Sequence, residues 1–345
     1  MTMNDIKNEH QKWPSDGLEY VPRCPICDTK SRELLHEKLN DNNLFHAPGN
    51  WSMYRCSSCS STYLDPRPTP ETIALAYKNY YTHDERASFS SLSLLKKLQR
   101  ILVNGYINYN FGTKNHPASI LGILVINLMP TTRLILDSTM RHLPKAKPGM
   151  RLLDLGCGNG KFLLQARSAG WDVVGVDFDQ EAVDVACMQG LDVRLGGIDI
   201  LDPRIEQFDV ITLSHIIEHV HQPIDILKAC NRLLKPGGFL WLDTPNSEAE
   251  GHRVFGANWR GLEPPRHLAI FSFESMNKTL KLSGFVNIEI QAYQPSCKHT
   301  FKESNKISGY TKSNLKLSRM IKKSNNIAKH NTARREFITV KAWKK

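Results

Sequence analysis

The ten residues from Arg151 to Gly160, RLLDLGCGNG, constrain this chain more than any other stretch. Arg151 to Leu155 is a short apolar run of strand character, and Gly156-Cys157-Gly158-Asn159-Gly160 is a turn that only small residues can make. Phe162 to Ala169 resumes at helical spacing until Gly170 stops it. A second apolar run, Asp172 to Phe178, delivers an acid at Asp177, about 20 residues beyond the loop, where a carboxylate can accept two ribose hydroxyls. Strand, glycine loop, helix and acid-tipped strand describe a βαβ unit that holds a nucleoside. The glycines admit positive φ and let backbone N–H groups approach the ligand closely. A glycine-rich βα turn without a ligand is the plainer alternative.

A dinucleotide fingerprint, GxGxxG, would place its third glycine one position later, where this chain has Lys161. The string D-x-G-x-G-x-G from Asp154 to Gly160, with the later acid, resembles the class I S-adenosylmethionine-dependent methyltransferases. Further matches follow in order. Phe208 to His215 (FDVITLSH) reads as a buried strand, and Leu233 to Asn246 (LLKPGGFLWLDTPN) as a helix end, a Pro-Gly-Gly turn, a strand and a loop. The resemblance runs from about Pro148 onward. It implies an α/β fold with a Rossmann-like sheet, mostly parallel with an antiparallel last strand. It also implies S-adenosylmethionine as cofactor, whose zwitterionic amino acid part suits backbone donors and a nearby carboxylate. The implied cofactor contacts are Asp154, Gly156, Cys157, Gly158, Asp177 and Phe178. Leu213, Ser214 and His215 join them at a strand's carboxyl end, where open α/β sheets bind ligands.

The start of the chain, MTMNDIKNEHQKW, is polar and has no apolar signal core, so the expectation is a cytoplasmic protein with reduced thiols. Four of its eight cysteines form two hooks, Cys24-x-x-Cys27 and Cys56-x-x-Cys59, with 28 residues between them. In a reduced compartment such pairs read as a tetrahedral Cys₄ zinc ribbon, and the closed ligand set makes the zinc structural. Four free or redox thiols are the alternative. Cys157, Cys187, Cys230 and Cys297 stand singly and read as small buried hydrophobes.

After the second hook, Asp65-Pro66-Arg67-Pro68 leads into a helical stretch holding Tyr77, Tyr80 and Tyr81. Zinc hooks, DPRP link, paired tyrosines and then the methyltransferase motifs resemble bacterial enzymes of surface-polysaccharide and secondary-metabolite functions. In that resemblance the run from Asn258 to Leu268 (NWRGLEPPRHL) is a substrate-facing loop. Leu92, Leu95, Leu98 and Leu102 recur at helical spacing opposite Lys96, Lys97 and Arg100, an amphipathic helix of the kind that packs on a neighbouring domain more often than on a membrane. Ala118 to Met129 is almost wholly apolar, but Pro130 and Arg133 end it well short of the roughly 20 residues a membrane span needs. No integral membrane segment is therefore expected. The run reads as a lid or homodimer helix, with shallow membrane contact near a lipid-linked substrate as the other reading.

Charge is uneven. From Lys298 to Lys345 there are 14 lysines and arginines against Glu303 and Glu336, so the whole formal excess of +11 lies there. The segment sits between strand candidates Val286 to Gln294 and Phe337 to Trp343, which makes 298–335 an insertion in a hairpin. It is a solvated, partly mobile face or a site for an anionic partner: a phosphorylated glycan, an acidic lipid surface or RNA.

His215-Ile216-Ile217-Glu218-His219 spells H-x-x-E-H, a peptidase zinc motif that needs one helix face. Here it straddles a strand end and a helix start, which argues against a peptidase. The string also resembles the acid-x-x-Glu-His metal site of some small-RNA and quinone-pathway O-methyltransferases, with His215 replacing the leading acid. Glu218 and His219 could instead order the helix start and wall the pocket.

The chain is thus expected to comprise a zinc-ribbon-like module (20–66), a helical connector or lid (67–147) and a methyltransferase domain (148–345). The expected reaction is methyl transfer to an oxygen, nitrogen or carbon of a small-molecule, sugar or lipid-linked glycan acceptor. His219 and His267 are the candidate bases, since imidazole titrates near neutral pH; the sequence ranks neither, and solvent is the third candidate. An RNA methyltransferase and a non-catalytic, cofactor-sensing scaffold are the competing functions.

Overall fold

A computed structural model describes residues 13–42, 47–77, 93–293, 295–309 and 314–345. Tyr80, Tyr81, Leu92 and Gln294 lie outside these residues. The chain divides into two compact units: Met1–Tyr80 with Ser214–Lys228 and Leu242–Val340, and Tyr81–Leu213 with Ala229–Trp241 and Lys341–Lys345.

In the first unit, β1 (Leu18–Glu19) pairs with β5 (Arg67–Pro68). Between them lie β2 (Arg32–Leu39), β3 (Trp51–Cys56) and β4 (Thr62–Leu64), an antiparallel set that carries both cysteine hooks at its ends. Trp51, Met53 and Leu64 point into one core that also holds Phe255, Trp259, Leu268, Ile270 and Phe301 from the later chain. The apolar alternation of these short strands is thus satisfied by side chains some 200 residues away.

The second unit opens with α1 (Leu94–Phe111), α2 (Leu121–Asn127) and α3 (Pro130–Thr139). Gly112, at φ 80, ends α1 in the left-handed conformation that glycine adopts without penalty. Next come β6 (Arg151–Leu155), α4 (Lys161–Ser168), β7 (Asp172–Asp177), α5 (Gln180–Met188) and β8 (Asp192–Leu195). The expected βαβ unit is present within a residue at each end. Asp179 caps α5 by accepting from the N–H groups of Glu181 and Ala182. Leu152, Leu163, Ala166, Val173, Val183, Val193 and Val210 pack into one core around these strands.

The chain continues through β9 (Phe208–Ser214), α6 (Pro223–Leu233), β10 (Leu234–Pro245), α7 (Glu250–Phe255), β11 (Ala269–Ile270), α8 (Phe273–Leu282) and β12 (Phe285–Ile290). It ends in α9 (Cys297–Ile307), α10 (Asn314–His330) and β13 (Phe337–Lys344). β11 joins β4 as the fourth strand of the hook-bearing sheet. The seven-stranded sheet has the order β12-β13-β10-β9-β6-β7-β8, with β9, β6, β7 and β8 parallel. The last strand runs the other way. Asn246, just past β10, donates its N–H to Glu336 O just before β13, while Lys344 at the far end of β13 donates to Leu234 O where β10 begins. This is the sheet expected of the class I methyltransferase fold.

Three details differ from the sequence reading. The Pro236-Gly237-Gly238 run lies inside β10 rather than before it. Gly237 takes φ 76, and a Cβ at Gly238 would come within 2.9 Å of Asp209 O, so the backbone kinks while staying paired. The basic insertion is two helices, α9 and α10, whose Phe301, Leu317 and Ala328 are buried. The H-x-x-E-H string falls on a turn after β9, and the helix begins only at Pro223.

Candidate active site

Three groups of residues carry chemistry. The first is the glycine loop of the second unit. It is pinned to the neighbouring strand, since Gly156 and Cys157 both donate N–H to Val176 O at 2.9 and 3.2 Å. Its glycines serve different ends. A Cβ at Gly160 would lie 2.4 Å from Leu191 Cδ1, a packing constraint, whereas one at Gly158 (φ 52) would meet no heavy atom within 4 Å. The loop is therefore open beside Gly158. The Gly158 N–H donates to Asp177 Oδ2 at 2.7 Å and the Asp179 N–H to Asp177 Oδ1 at 3.0 Å. Each carboxylate oxygen keeps a further lone pair.

Asp154 is fully buried in β6, opposite Gly175 and Thr212. Its Oδ1 accepts from Arg141 and, at 2.8 Å, from Thr212 Oγ1, while Oδ2 is buried without a hydrogen-bond partner among the described residues. Burial pushes this carboxyl up and the Arg141 guanidinium opposes it. Arg141 sits at φ 49 with its guanidinium 3.7 Å from the Phe162 ring centroid. The Cys157 thiol, pushed up by burial, lies where a side chain at Gly175 would clash, at 2.6 Å; it is a packing group. Phe178 is 79% exposed and lies over Gly197, with Leu213 buried at the end of the unit.

The second group, in the first unit, follows β9. Ser214 is half-buried, and His215 turns away at φ 56 to lie between two carboxylates, Nδ1 3.2 Å from Glu218 Oε1 and Nε2 3.3 Å from Asp243 Oδ2. Loss of solvent works against its charge, but the hydrogen bonds to Asp243 and Glu218 outweigh that and raise the imidazole to about 10. Burial would raise Glu218, yet His215 and the nearby imidazoles hold it down to about 2. Thr244 Oγ1 donates to its other oxygen at 2.9 Å. The structure brings His219 and His267 together, ring centroids 4.8 Å apart. His267 Nδ1 donates to Gly261 O at 2.8 Å and His219 Nδ1 to Arg266 O at 3.0 Å, a tautomer in which Nε2 carries the lone pair, and His267 Nε2 lies 3.7 Å from Glu263 Oε2. Burial takes His267 down to about 4, so it is neutral near pH 7. Glu218, His219 and His267 each offer a ligand atom within 4.8 Å of the others, a set that could hold a divalent cation.

What fixes this group was not visible in the sequence. The Leu268 N–H donates to Glu218 O at 2.8 Å, tying the turn after β9 to the segment entering β11. Arg266, fully buried, makes a two-pronged pair with Asp41 at 2.9 and 2.6 Å and bonds Glu263 at 3.0 Å. The 258–268 loop is thereby anchored to the hook-bearing sheet. Asp243 beside His215, and in the first group Arg141 and Thr212 beside Asp154, were likewise missed, while Tyr77, whose hydroxyl lies 3.0 Å from His219 Nδ1, was named only as part of a helical stretch. Only contact across long sequence separations would have singled them out.

The third group is the cysteine cluster, in which the four thiol sulfurs of Cys24, Cys27, Cys56 and Cys59 all lie within 4.8 Å of one another. The Cys24–Cys59 and Cys27–Cys56 separations are 3.7 and 3.5 Å. Both hooks turn through a left-handed residue directly after their second cysteine, Asp28 (φ 59) and Ser60 (φ 57), and the Ser58 N–H points at Cys56 Sγ from 3.4 Å. Two equivalent turns and an N–H aimed at sulfur suit thiolate ligands of a tetrahedral metal.

Residues 129–290 match a family model described as a methyltransferase domain. The chain is similar to the ubiquinone biosynthesis O-methyltransferase of Xanthomonas oryzae pv. oryzae, 39% identical over 153 residues, 41% of this chain and 63% of that one. The enzyme of the same name from Roseobacter denitrificans is 36% identical over 115 residues, 32% of this chain and 46% of its own. The chain thus spans about half to just under two thirds of the curated relatives it matches. In three dimensions it is similar to a SAM dependent methyltransferase from Archaeoglobus fulgidus, with TM-score 0.44, 21% identity, and coverage of 61% of this chain and 94% of that one.

Proposed function

We propose that the protein is an S-adenosylmethionine-dependent methyltransferase acting on a small-molecule, sugar or lipid-linked glycan acceptor. The observation that carries this reading is the open glycine loop. Asp177 is held by two backbone N–H groups with a lone pair to spare on each oxygen, within a segment that matches methyltransferase domains. The orphaned Asp154 Oδ2 suits a cationic amino group in its neighbourhood, and the exposed Phe178 ring suits a flat base. Gly156, Cys157, Gly158, Leu213, Ser214 and His215 complete the proposed cofactor contacts. S-adenosylmethionine would supply a methyl group already activated by its sulfonium. The chain's own residues would then orient the acceptor and take its proton, positioning being a large part of the catalysis. His219 and His267 are assigned to that proton through their Nε2 lone pairs, with Glu218 holding the local charge balance.

In the same reading residues 20–66 are the zinc-ribbon-like module, 67–147 the connector and 148–345 the transferase, and the zinc held by the four cysteines is structural. A labelled-methyl assay across sugar, lipid-linked and RNA acceptors tests the function. Incorporation into a sugar or lipid-linked acceptor is expected; incorporation into RNA alone, or into none with cofactor bound, would replace this reading.

A further inference from the structure

The helices of residues 94–139 turn apolar side chains to solvent. On α2, Leu121, Leu124 and the following Leu128 recur at i, i+3 and i+7 and are 63%, 63% and 75% exposed, while Gly122 and Ile126 on the other side are buried. A surface helix of a water-facing protein shows the reverse pattern. On α1, Leu95 and Leu98 are also exposed, and they line one groove of about 180 Å³ with Val125 and Met129, the residues that directly follow Leu124 and Leu128. That exposure is built in. A Cβ at Gly105 would lie 1.8 Å from Ser119 O, and one at Gly122 would lie 1.9 Å from Leu102 O, so the helix pair is already at backbone contact and cannot close over the leucines.

Charge selects the occupant. From 93 to 139 the chain carries five lysines and arginines against one acid, Asp137, which accepts from the Tyr106 hydroxyl, and Lys96, Lys114 and Arg133 are exposed. Two copies joined through this surface would set like charges against each other. Leucines flanked by cations match instead an anionic headgroup layer over acyl carbon. Among the described residues no single helix is long and apolar enough to cross a membrane, and α2 and α3 meet that test only together, with a bend of 110° between them. A pair so bent suits lying in an interface.

We propose that residues 94–135 form a docking surface for an anionic phospholipid bilayer, with Leu121, Leu124 and Leu128 entering the acyl boundary and Lys96 and Arg133 meeting headgroups. The full chain should sediment with vesicles of phosphatidylcholine and phosphatidylglycerol, about tenfold more weakly with phosphatidylcholine alone, and less at high salt. Leu121→Asp/Leu124→Asp/Leu128→Asp should lose binding by at least about tenfold with an unchanged melting temperature. Lys96→Glu/Arg133→Glu, which leaves the apolar surface intact, should lose the preference for phosphatidylglycerol. Absence of sedimentation with either vesicle, equal binding by the charge-reversed variant, or a dimer in light scattering that the aspartate variant abolishes would overturn the proposal.

Discussion

The hold of the carboxylate at Asp177 on a ribose can be weighed from its surroundings. Its oxygens already accept one backbone N–H each, from Gly158 at 2.7 Å and Asp179 at 3.0 Å, so the carboxylate is oriented before any ligand arrives. A ribose diol would add one charge-assisted hydrogen bond per oxygen, each contributing about 1.5–3 kcal/mol. Asp177→Ala should therefore weaken S-adenosylmethionine binding by about 3–6 kcal/mol, or about 10²–10⁴ in affinity. The Gly158 amide left behind is half-buried and can find water, so little of that loss should come from the empty loop. Isothermal calorimetry reads the affinity directly. Asp179→Ala is the control, for Asp179 caps α5 through the N–H groups of Glu181 and Ala182, and its loss should cost about 0.5–2 kcal/mol of stability. Cofactor affinity should not change in that variant. A drop of less than about tenfold in Asp177→Ala, or equal drops in both variants, would refute the ribose assignment.

Three further outcomes are expected. Purified protein should hold one zinc per chain by elemental analysis, and Cys24→Ser/Cys56→Ser should lose the metal and lower the melting temperature; full retention would contradict the thiolate site. If His267 is the base, His267→Ala should lower turnover about 10²–10⁴-fold at unchanged cofactor affinity, and since burial takes His267 to about 4, the acid limb of the wild-type rate profile should fall near there; unchanged turnover in both His219→Ala and His267→Ala would leave positioning alone. Burial pushes Glu336 from 4.5 up to about 7, so the folded state binds more protons between those values and stability should fall, on the order of 3 kcal/mol, as pH rises through that window. Glu336→Gln should flatten that slope in thermal melts from pH 5 to 8, and identical slopes would exclude Glu336 as its source.

What the sequence disclosed was local. β6, β7 and β9 are parallel strands buried on both faces, so each reads as a short, mostly apolar run, with Asp154 and Thr212 the buried polar residues inside β6 and β9. The cysteine hooks are legible for the same reason, since each pair is a turn in itself. The pairing of β11 with β4, two residues against two, has no such local signal. Arg266 looks like any arginine in a polar loop until Asp41, 225 residues away, is placed against it. The basic insertion was legible only in part. Its charge dominated the reading, while a few apolar residues, Phe301 on α9 and Leu317 and Ala328 on α10, are the ones that pack. Composition over a segment averages away the positions that decide burial.

The pairing of β11 with β4 also sets a timetable. Both hooks leave the ribosome early, whereas the strand that completes their sheet lies roughly 210 residues further on, a delay of about 10–40 s at ordinary elongation rates. Until that strand emerges, the edge of β4 that β11 pairs with and the apolar face that the later chain covers have no partner. A metal ion captured then would hold the edge in register until its partner is made. Oxidation in the same interval would remove the thiolates that such an ion needs. Metal present during synthesis would then meet the hooks before their sheet is complete, whereas metal added afterwards would meet a finished one.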